Sequence, residues 1–127
     1  MNPLTLEWVE KAEGDLVTAR RELRALLSPN YDAICFHSQQ VAEKYLKAVL
    51  QENSQIIPKT HQLMDLLALC MKVDNSYQFM HTDLIVLEGY AIRFRYPGQS
   101  ADKFDAKSAF KSAQIARTFV REKLGLR

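Results

Sequence analysis

Apolar residues recur every three or four positions along five segments of the chain, which is the spacing of one face of an α-helix. The first segment spans Thr5–Leu27, the second spans Tyr31–Glu52, and the third ends near Met71. The fourth spans Met80–Phe94, and the last begins after Asp102. No segment alternates strictly between apolar and polar residues. The pattern therefore predicts five helices and no strand.

Residues with known preferences for helix ends mark the boundaries of these segments. Ser28, Pro29 and Asn30 break the chain after the first helix, because the residue before a proline avoids the helical conformation. Thr60 is a suitable N-cap for the third helix and Asp102 for the last. The apolar stripe of the last helix is formed mainly by small residues: Ala106, Ala109, Ala113, Ala116, Val120 and Leu124. These small side chains predict close packing against a neighbouring helix.

The length and composition are those of one globular domain covering residues 1–127. Hydrophobic residues make up 47% of the chain and charged residues 25%. Only four glycines and four prolines are present, which favours long helices over a sandwich rich in turns. Five amphipathic helices with short links predict an all-α, five-helix up-and-down bundle. The first helix is expected to bury Leu23 and Leu26 in this bundle.

Charge and cysteine content narrow the function classes only slightly. A formal net charge of +2 does not by itself indicate a nucleic-acid-binding protein. Cys35 and Cys70 form no CxxC pair and lie in phase with apolar neighbours, so we interpret both as core residues in a reducing compartment. No apolar leader and no segment long enough to span a membrane is present. We therefore expect a cytoplasmic protein that does not insert into a membrane.

The sequence contains no recognisable motif for a metal, a cofactor or a nucleophile. The three histidines are 24 and 20 residues apart, and neither a P-loop nor a GxSxG motif is present. His61 follows the Thr60 cap, which predicts a position in the first turn of the third helix. There it is suited to hold a phosphate or to act as a base, or else simply to pack against the neighbouring helix.

Two arginines and a tyrosine end the fourth helix. Arg93 and Arg95 flank Phe94 and should project to different sides, and guanidinium groups match phosphate oxygens. Tyr96 is a possible stacking surface for a base. The alternative is that an arginine caps the helix end or pairs with a buried glutamate, for which Glu88 and Glu43 are the candidates.

Other cations are candidates for the same site. Lys44 and Lys47 form a polar stripe on the second helix that either faces a groove or, as the sequence alone favours, solvent. Lys59 and His61 begin the third helix, while the arginines end the fourth. If these consecutive helices pack antiparallel, both groups lie at one end of the molecule, where they are suited to bind the phosphate of a nucleotide.

Several segments resemble the HEPN family of small helical domains. The resemblance rests on the helix Phe36–Ala48, on Thr60–His61 and on Arg95–Tyr96–Pro97, and it extends over most of the chain. It implies a helical bundle, often dimeric, that acts beside nucleotides or RNA. It also implies a separate minimal nucleotidyltransferase chain as partner, commonly in a toxin–antitoxin module. Relatives are similar to the substrate-binding helical domain of antibiotic nucleotidyltransferases.

One catalytic feature of the family is missing. Many ribonuclease members carry an arginine followed, after four to six residues, by a histidine, and no such pair occurs here. The resemblance therefore implies a non-catalytic domain that binds a nucleotide or RNA, with no assigned catalytic residue. Two alternatives remain: an RNA-cleaving enzyme that combines His61 with Arg95 through the fold, and a module that only dimerises.

Overall fold

The computed structural model describes residues 1–127 and is entirely helical. Five α-helices and one short 3₁₀ segment contain no strand between them, which confirms the predicted all-α bundle. The helices are α1 (Pro3–Leu23), α2 (Tyr31–Glu52), α3 (Leu63–Val73), α4 (His81–Arg93) and α5 (Lys103–Lys123), with the 3₁₀ segment at Asn75–Met80. None of the helices combines the length and the hydropathy needed for a membrane span.

Helix α2 lies at the centre of the bundle and packs against each of the other four helices. Its exact bounds were predicted, and most of its length is buried, including six fully buried large side chains: Ile34, Val41, Tyr45, Leu46, Val49 and Leu50. Because α2 is the common neighbour, one hydrophobic core joins all five helices. Cys35 and Cys70 are free and buried in this core, as predicted.

Polar contacts fix the direction of the outer helices against this core. Glu52 at the end of α2 accepts hydrogen bonds from the backbone N–H of Asn2 (3.1 Å) and from the Thr5 hydroxyl (3.0 Å) at the start of α1. Helices α1 and α2 are therefore antiparallel. Arg117 of α5 donates three hydrogen bonds to Glu13 of α1, at 2.6 Å, 2.8 Å and 3.0 Å. This ion pair joins the two helices across the surface of the core.

The loop between α2 and α3 runs back along α2, and it is this path that creates the candidate site. His61, near the end of the loop, lies beside Gln39 and Glu43 and not beyond the end of α2. Glu88 of α4 accepts a hydrogen bond from the Leu63 N–H at the start of α3 (2.8 Å). The start of α3 therefore lies near the end of α4, as expected for antiparallel neighbours.

Two predicted helix ends are wrong. Helix α1 ends at Leu23 instead of Leu27, and Leu26 is 97% exposed instead of buried. The chain turns there because Ser28 adopts a left-handed conformation (φ 46°) ahead of the proline, and Asn30 then caps α2. These residues belong to the connection and not to the apolar stripe.

Helix α3 begins three residues after the predicted cap. Thr60 does accept a hydrogen bond from a backbone N–H, that of Gln62 (3.1 Å), but this closes a tight turn before the helix. The N-cap is Gln62, without a side-chain hydrogen bond of its own. His61 therefore precedes the helix instead of occupying its first turn. By contrast, Asp102 caps α5 in a capping box with Asp105, as predicted.

Candidate functional site

A cleft of about 1110 Å³ opens between three parts of the fold. The first half of α2, the end of the loop before α3 and the second half of α4 form its walls. The path of the loop explains the cleft, because a chain that folds back along α2 leaves a channel between itself and α4. No group of three or more His, Cys, Asp or Glu side chains is placed to hold a metal ion.

Three of the predicted site residues line this cleft: Lys59, His61 and Arg95. Lys59 and Arg95 are exposed, and neither makes a side-chain hydrogen bond or an ion pair within the protein. Arg95 therefore pairs with neither Glu88 nor Glu43, the two partners considered from sequence. Two cations that face one cleft without acidic partners are available to an anionic ligand.

Two carboxylates also line the cleft, and backbone donors hold both of them. Asp32 accepts a hydrogen bond from the Ala101 N–H (2.6 Å), which fixes the start of α2 to the chain before α5. Glu88 accepts from the Leu63 N–H at the start of α3. The lining therefore contains both positive and negative groups. Its two carboxylates accept hydrogen bonds from backbone N–H groups at or just before the start of a helix, where negative charge is stabilising.

Glu43 lies behind the cleft and binds His61. Both oxygens of its buried carboxylate lie 3.1 Å from His61 Nδ1, and one also accepts from the Lys47 ammonium at 3.1 Å. Gln39 donates to the His61 carbonyl oxygen (3.0 Å), so α2 holds both the ring and the backbone of this histidine. The imidazole remains 75% exposed despite these contacts. It is a positioned side chain with one edge open to solvent.

Apolar and aromatic groups complete the walls. Tyr90 and Phe94 stack on α4 with ring centroids 5.7 Å apart, and Phe36 of α2 is 55% exposed at the opposite side. Cys35 also lines the cleft, but burial, with the nearby carboxylates as a lesser cause, raises the pKa of its thiol to about 12. It therefore stays protonated at neutral pH and is unsuited to act as a nucleophile.

Comparison with known proteins agrees with this architecture. The sequence matches the HEPN domain family over residues 5–123. The chain belongs to the HEPN domain family. A crystal structure of TT1696 from Thermus thermophilus is 30% identical, with a TM-score of 0.79, and covers 94% of this chain and 97% of its own. No protein of curated function matches the sequence.

A second solved structure, ST0689, is described as an archaeal HEPN homologue. It is 25% identical with a TM-score of 0.75, over 94% of this chain and 96% of its own. Both neighbours span nearly the whole domain, so the similarity includes every helix that forms the cleft. HEPN domains are helical folds associated with nucleotides and RNA, which makes the cleft the natural place to look for a ligand.

Four other predicted site residues lie outside the lining of the HEPN cleft. Arg93 donates to Gln99 (3.1 Å) and lies over the Phe94 ring, while Tyr96 is 68% exposed beyond the end of α4. Lys44 contacts Asp15 of α1. Lys47 is only 6% exposed, so the solvated face favoured from sequence is wrong for this residue. Its stem lies against α1, where the ammonium is 5.6 Å from the centre of the Trp8 ring.

Several residues of the cleft were not found by sequence reasoning. Glu43 was considered from the sequence as a buried partner of an arginine and not as a partner of His61, and Asp32 and Phe36 were not considered as site residues. One signal for these residues was present in the sequence. A glutamate, a lysine and two glutamines lie close together on the same helix, and such a polar group can form a buried hydrogen-bond network as well as a solvated face. Nothing in the sequence shows that the loop folds back onto them.

Proposed function

We propose that this HEPN domain binds a nucleotide, or a nucleotide unit of an RNA, in the cleft without transforming it. The observation that carries the proposal is the pair of cations, Lys59 and Arg95, that line a cleft with aromatic walls and have no partner in the protein. A guanidinium fork suits phosphate oxygens, and a lysine adds a mobile second charge. The cleft is also large enough for a small-molecule ligand.

The mixed lining agrees with a nucleotide better than with a simple anion. Lys59 and Arg95 are suited to the phosphates, while the exposed ring of Phe36 and the stacked rings of α4 offer apolar surface to a base. Stacking of a base on an aromatic side chain contributes about 1–3 kcal/mol. Asp32 and Glu88 each present carboxylate oxygens that are suited to accept hydrogen bonds from ligand hydroxyl or amino groups.

Calorimetric titration with ATP at low salt tests this proposal. We expect Arg95→Ala and Lys59→Ala to weaken binding, the arginine variant by about tenfold to a hundredfold, which corresponds to the loss of hydrogen bonds to a charged group. The matched control is Arg21→Ala, which removes an exposed arginine from α1 outside the cleft. Equal affinities for Arg95→Ala and the wild type contradict the proposed site.

One observation favours the alternative of an RNA-cleaving enzyme. His61 lines the same cleft as Arg95, and buried Glu43 holds its ring from behind, which is how general bases are often positioned. Against this stands the missing arginine–histidine spacing of the ribonuclease members. We therefore favour binding without cleavage, and an assay with end-labelled single-stranded RNA separates the two.

The same proposal includes a partner protein and a cellular location. We propose that the domain acts as a homodimer beside a minimal nucleotidyltransferase chain, in a toxin–antitoxin-like module of the cytoplasm. Family membership supports the partner, and two buried free cysteines support a reducing compartment. Light scattering after size exclusion tests the dimer. Co-expression with the product of an adjacent short nucleotidyltransferase gene, where one exists, tests the partner, and separate elution of the two chains contradicts it.

A further inference from the structure

The hydrogen bonds around Glu43 determine which nitrogen of His61 carries a proton. Lys47, Gln39 and Gln40 all direct N–H groups at the Glu43 carboxylate, at 3.1 Å, 3.4 Å and 3.4 Å. In this ion pair with the Lys47 ammonium, the Glu43 carboxylate acts only as a hydrogen-bond acceptor. The remaining contact, His61 Nδ1 at 3.1 Å from both oxygens, must therefore be a donor.

The neutral imidazole has one donor nitrogen and one acceptor nitrogen, and the contacts of Glu43 decide which is which. The charge of Glu43 is already matched by Lys47, which forms an ion pair with it inside the protein. Lys59 and Arg95 already supply two positive charges to the same cleft, so a hydrogen-bond acceptor adds a different chemistry to its lining. A neutral imidazole with its proton on Nδ1 leaves Nε2 as a hydrogen-bond acceptor. Nε2 has no partner within the protein.

We propose that Glu43 is a positioning residue that makes His61 Nε2 an acceptor for a hydroxyl or amino group of the nucleoside part of the ligand. This inference rests on the proposed nucleotide binding and deepens it. The phosphates of a nucleotide are largely ionised at pH 8 and offer few protons to a neutral imidazole, so His61 contributes little to the binding of the phosphates. The cleft therefore selects nucleoside phosphates over inorganic polyphosphates, with Arg95 and Lys59 binding the phosphates and His61 the sugar or base.

The tautomer is measurable without any ligand. Long-range ¹H–¹⁵N correlation spectra of the wild-type protein at pH 8 should show His61 protonated at Nδ1 and unprotonated at Nε2. The double variant Glu43→Leu/Lys47→Met removes the buried ion pair as a unit and should lose this preference, while a dispersed amide spectrum shows that it remains folded. A wild-type His61 with its proton on Nε2 overturns the inference.

Titrations with ATP and with inorganic tripolyphosphate test the selectivity. His61→Ala should weaken ATP binding roughly fivefold to tenfold, the loss of one neutral hydrogen bond, and leave tripolyphosphate binding unchanged. Arg95→Ala should weaken both ligands. His81→Ala is the control, because His81 is exposed at the start of α4 outside the cleft.

The other outcomes separate a failure of the inference about His61 from a failure of the proposed function. If His61→Ala weakens both ligands equally, His61 is an anion contact and the inference is wrong, although the proposed site stands. If ATP binds but His61→Ala has no effect, the imidazole contacts no ligand group and the inference is also wrong. If neither ligand binds the wild type, the proposed function itself fails, whatever the tautomer spectra show.

Discussion

Buried charge in the middle of α2 is the most consequential feature at the scale of single residues. Glu43 and Lys47 are 3% and 6% exposed and pair with each other, and Glu43 also contacts His61 at the wall of the cleft. An isolated charge is costly to bury, so each of these residues depends on the other. The sequence shows their i,i+4 spacing but not their burial, because a solvated ion pair has the same pattern.

Removing one member of this pair should destabilise the domain strongly. Glu43→Leu leaves the Lys47 ammonium buried without a partner, and we expect a loss of about 3–5 kcal/mol in the free energy of unfolding. The double variant Glu43→Leu/Lys47→Met should recover most of that loss. Urea denaturation of the three proteins measures both effects. A single variant as stable as the wild type would show that the pair is solvated after all.

The two cysteines should be unreactive in the folded protein. Burial raises the pKa of both the Cys35 and the Cys70 thiol to about 12, so at pH 8 the reactive thiolate is scarce and the sulfur is covered. We expect Ellman's reagent to label neither thiol quickly in native buffer and both in denaturant. Rapid labelling of one thiol in the native protein would contradict the packing around that cysteine.

At the scale of helices, the sequence predicts the helices themselves well and the connections between them less well. Helix α2 has its predicted bounds, and Asp102 caps α5 as expected, because both signals are local. The start of α3 was misplaced because Thr60 offers the chemistry of a cap, whereas the N–H of Leu63 is satisfied by Glu88 from 25 residues away. Local preference cannot reveal a partner from another helix.

The start of the 3₁₀ segment provides a test with a defined pH dependence. Asp74 accepts hydrogen bonds from the hydroxyl and the N–H of Ser76 and pairs with Lys123 of α5, and these contacts lower its pKa to about 2. Because the pKa is lowered in the folded protein, the ionised Asp74 carboxylate stabilises the fold, and this contribution is complete above about pH 4. It is lost as the pH falls towards 2.

Comparing the wild type with Asp74→Asn over this range isolates the contribution. We expect the wild type to be the more stable protein at pH 5 and the difference in the free energy of unfolding to shrink as the pH falls through 3. Thermal or urea unfolding at each pH measures it. If the difference in the free energy of unfolding does not depend on pH, the charge of Asp74 does not stabilise the start of the 3₁₀ segment.

At the scale of the whole molecule, the cleft results from the path that the chain takes between the helices and not from any single sequence motif. Antiparallel packing of α3 and α4 predicts that Lys59, His61 and Arg95 lie at one end of the bundle, and all three line the cleft. The same reasoning also included Arg93 and Tyr96, which lie outside the lining, because Arg93 bonds to Gln99 and Tyr96 follows the end of α4. The return of the loop along α2, which adds Glu43 and Gln39 to the site, has no signature in the sequence.

For the whole domain, we predict that RNA is not cleaved. The purified protein should not cleave single-stranded RNA at an appreciable rate, because it lacks the arginine–histidine spacing of the ribonuclease members. A gel assay with end-labelled RNA measures this, with His61→Ala as the matched variant. Cleavage that disappears in a folded His61→Ala protein would establish the enzyme alternative in place of binding alone.

Mapping of a bound nucleotide onto the fold shows whether the cleft is the ligand site. Amide ¹H–¹⁵N spectra of the labelled wild-type protein, recorded during titration with ATP, report which residues sense the ligand. We expect the largest shifts to cluster at residues 30–40, 59–62 and 88–95, which form the cleft. The outer face of α5 around Ile115 should remain unchanged. Shifts confined to that face, or none at millimolar ATP, would contradict a nucleotide site in the cleft.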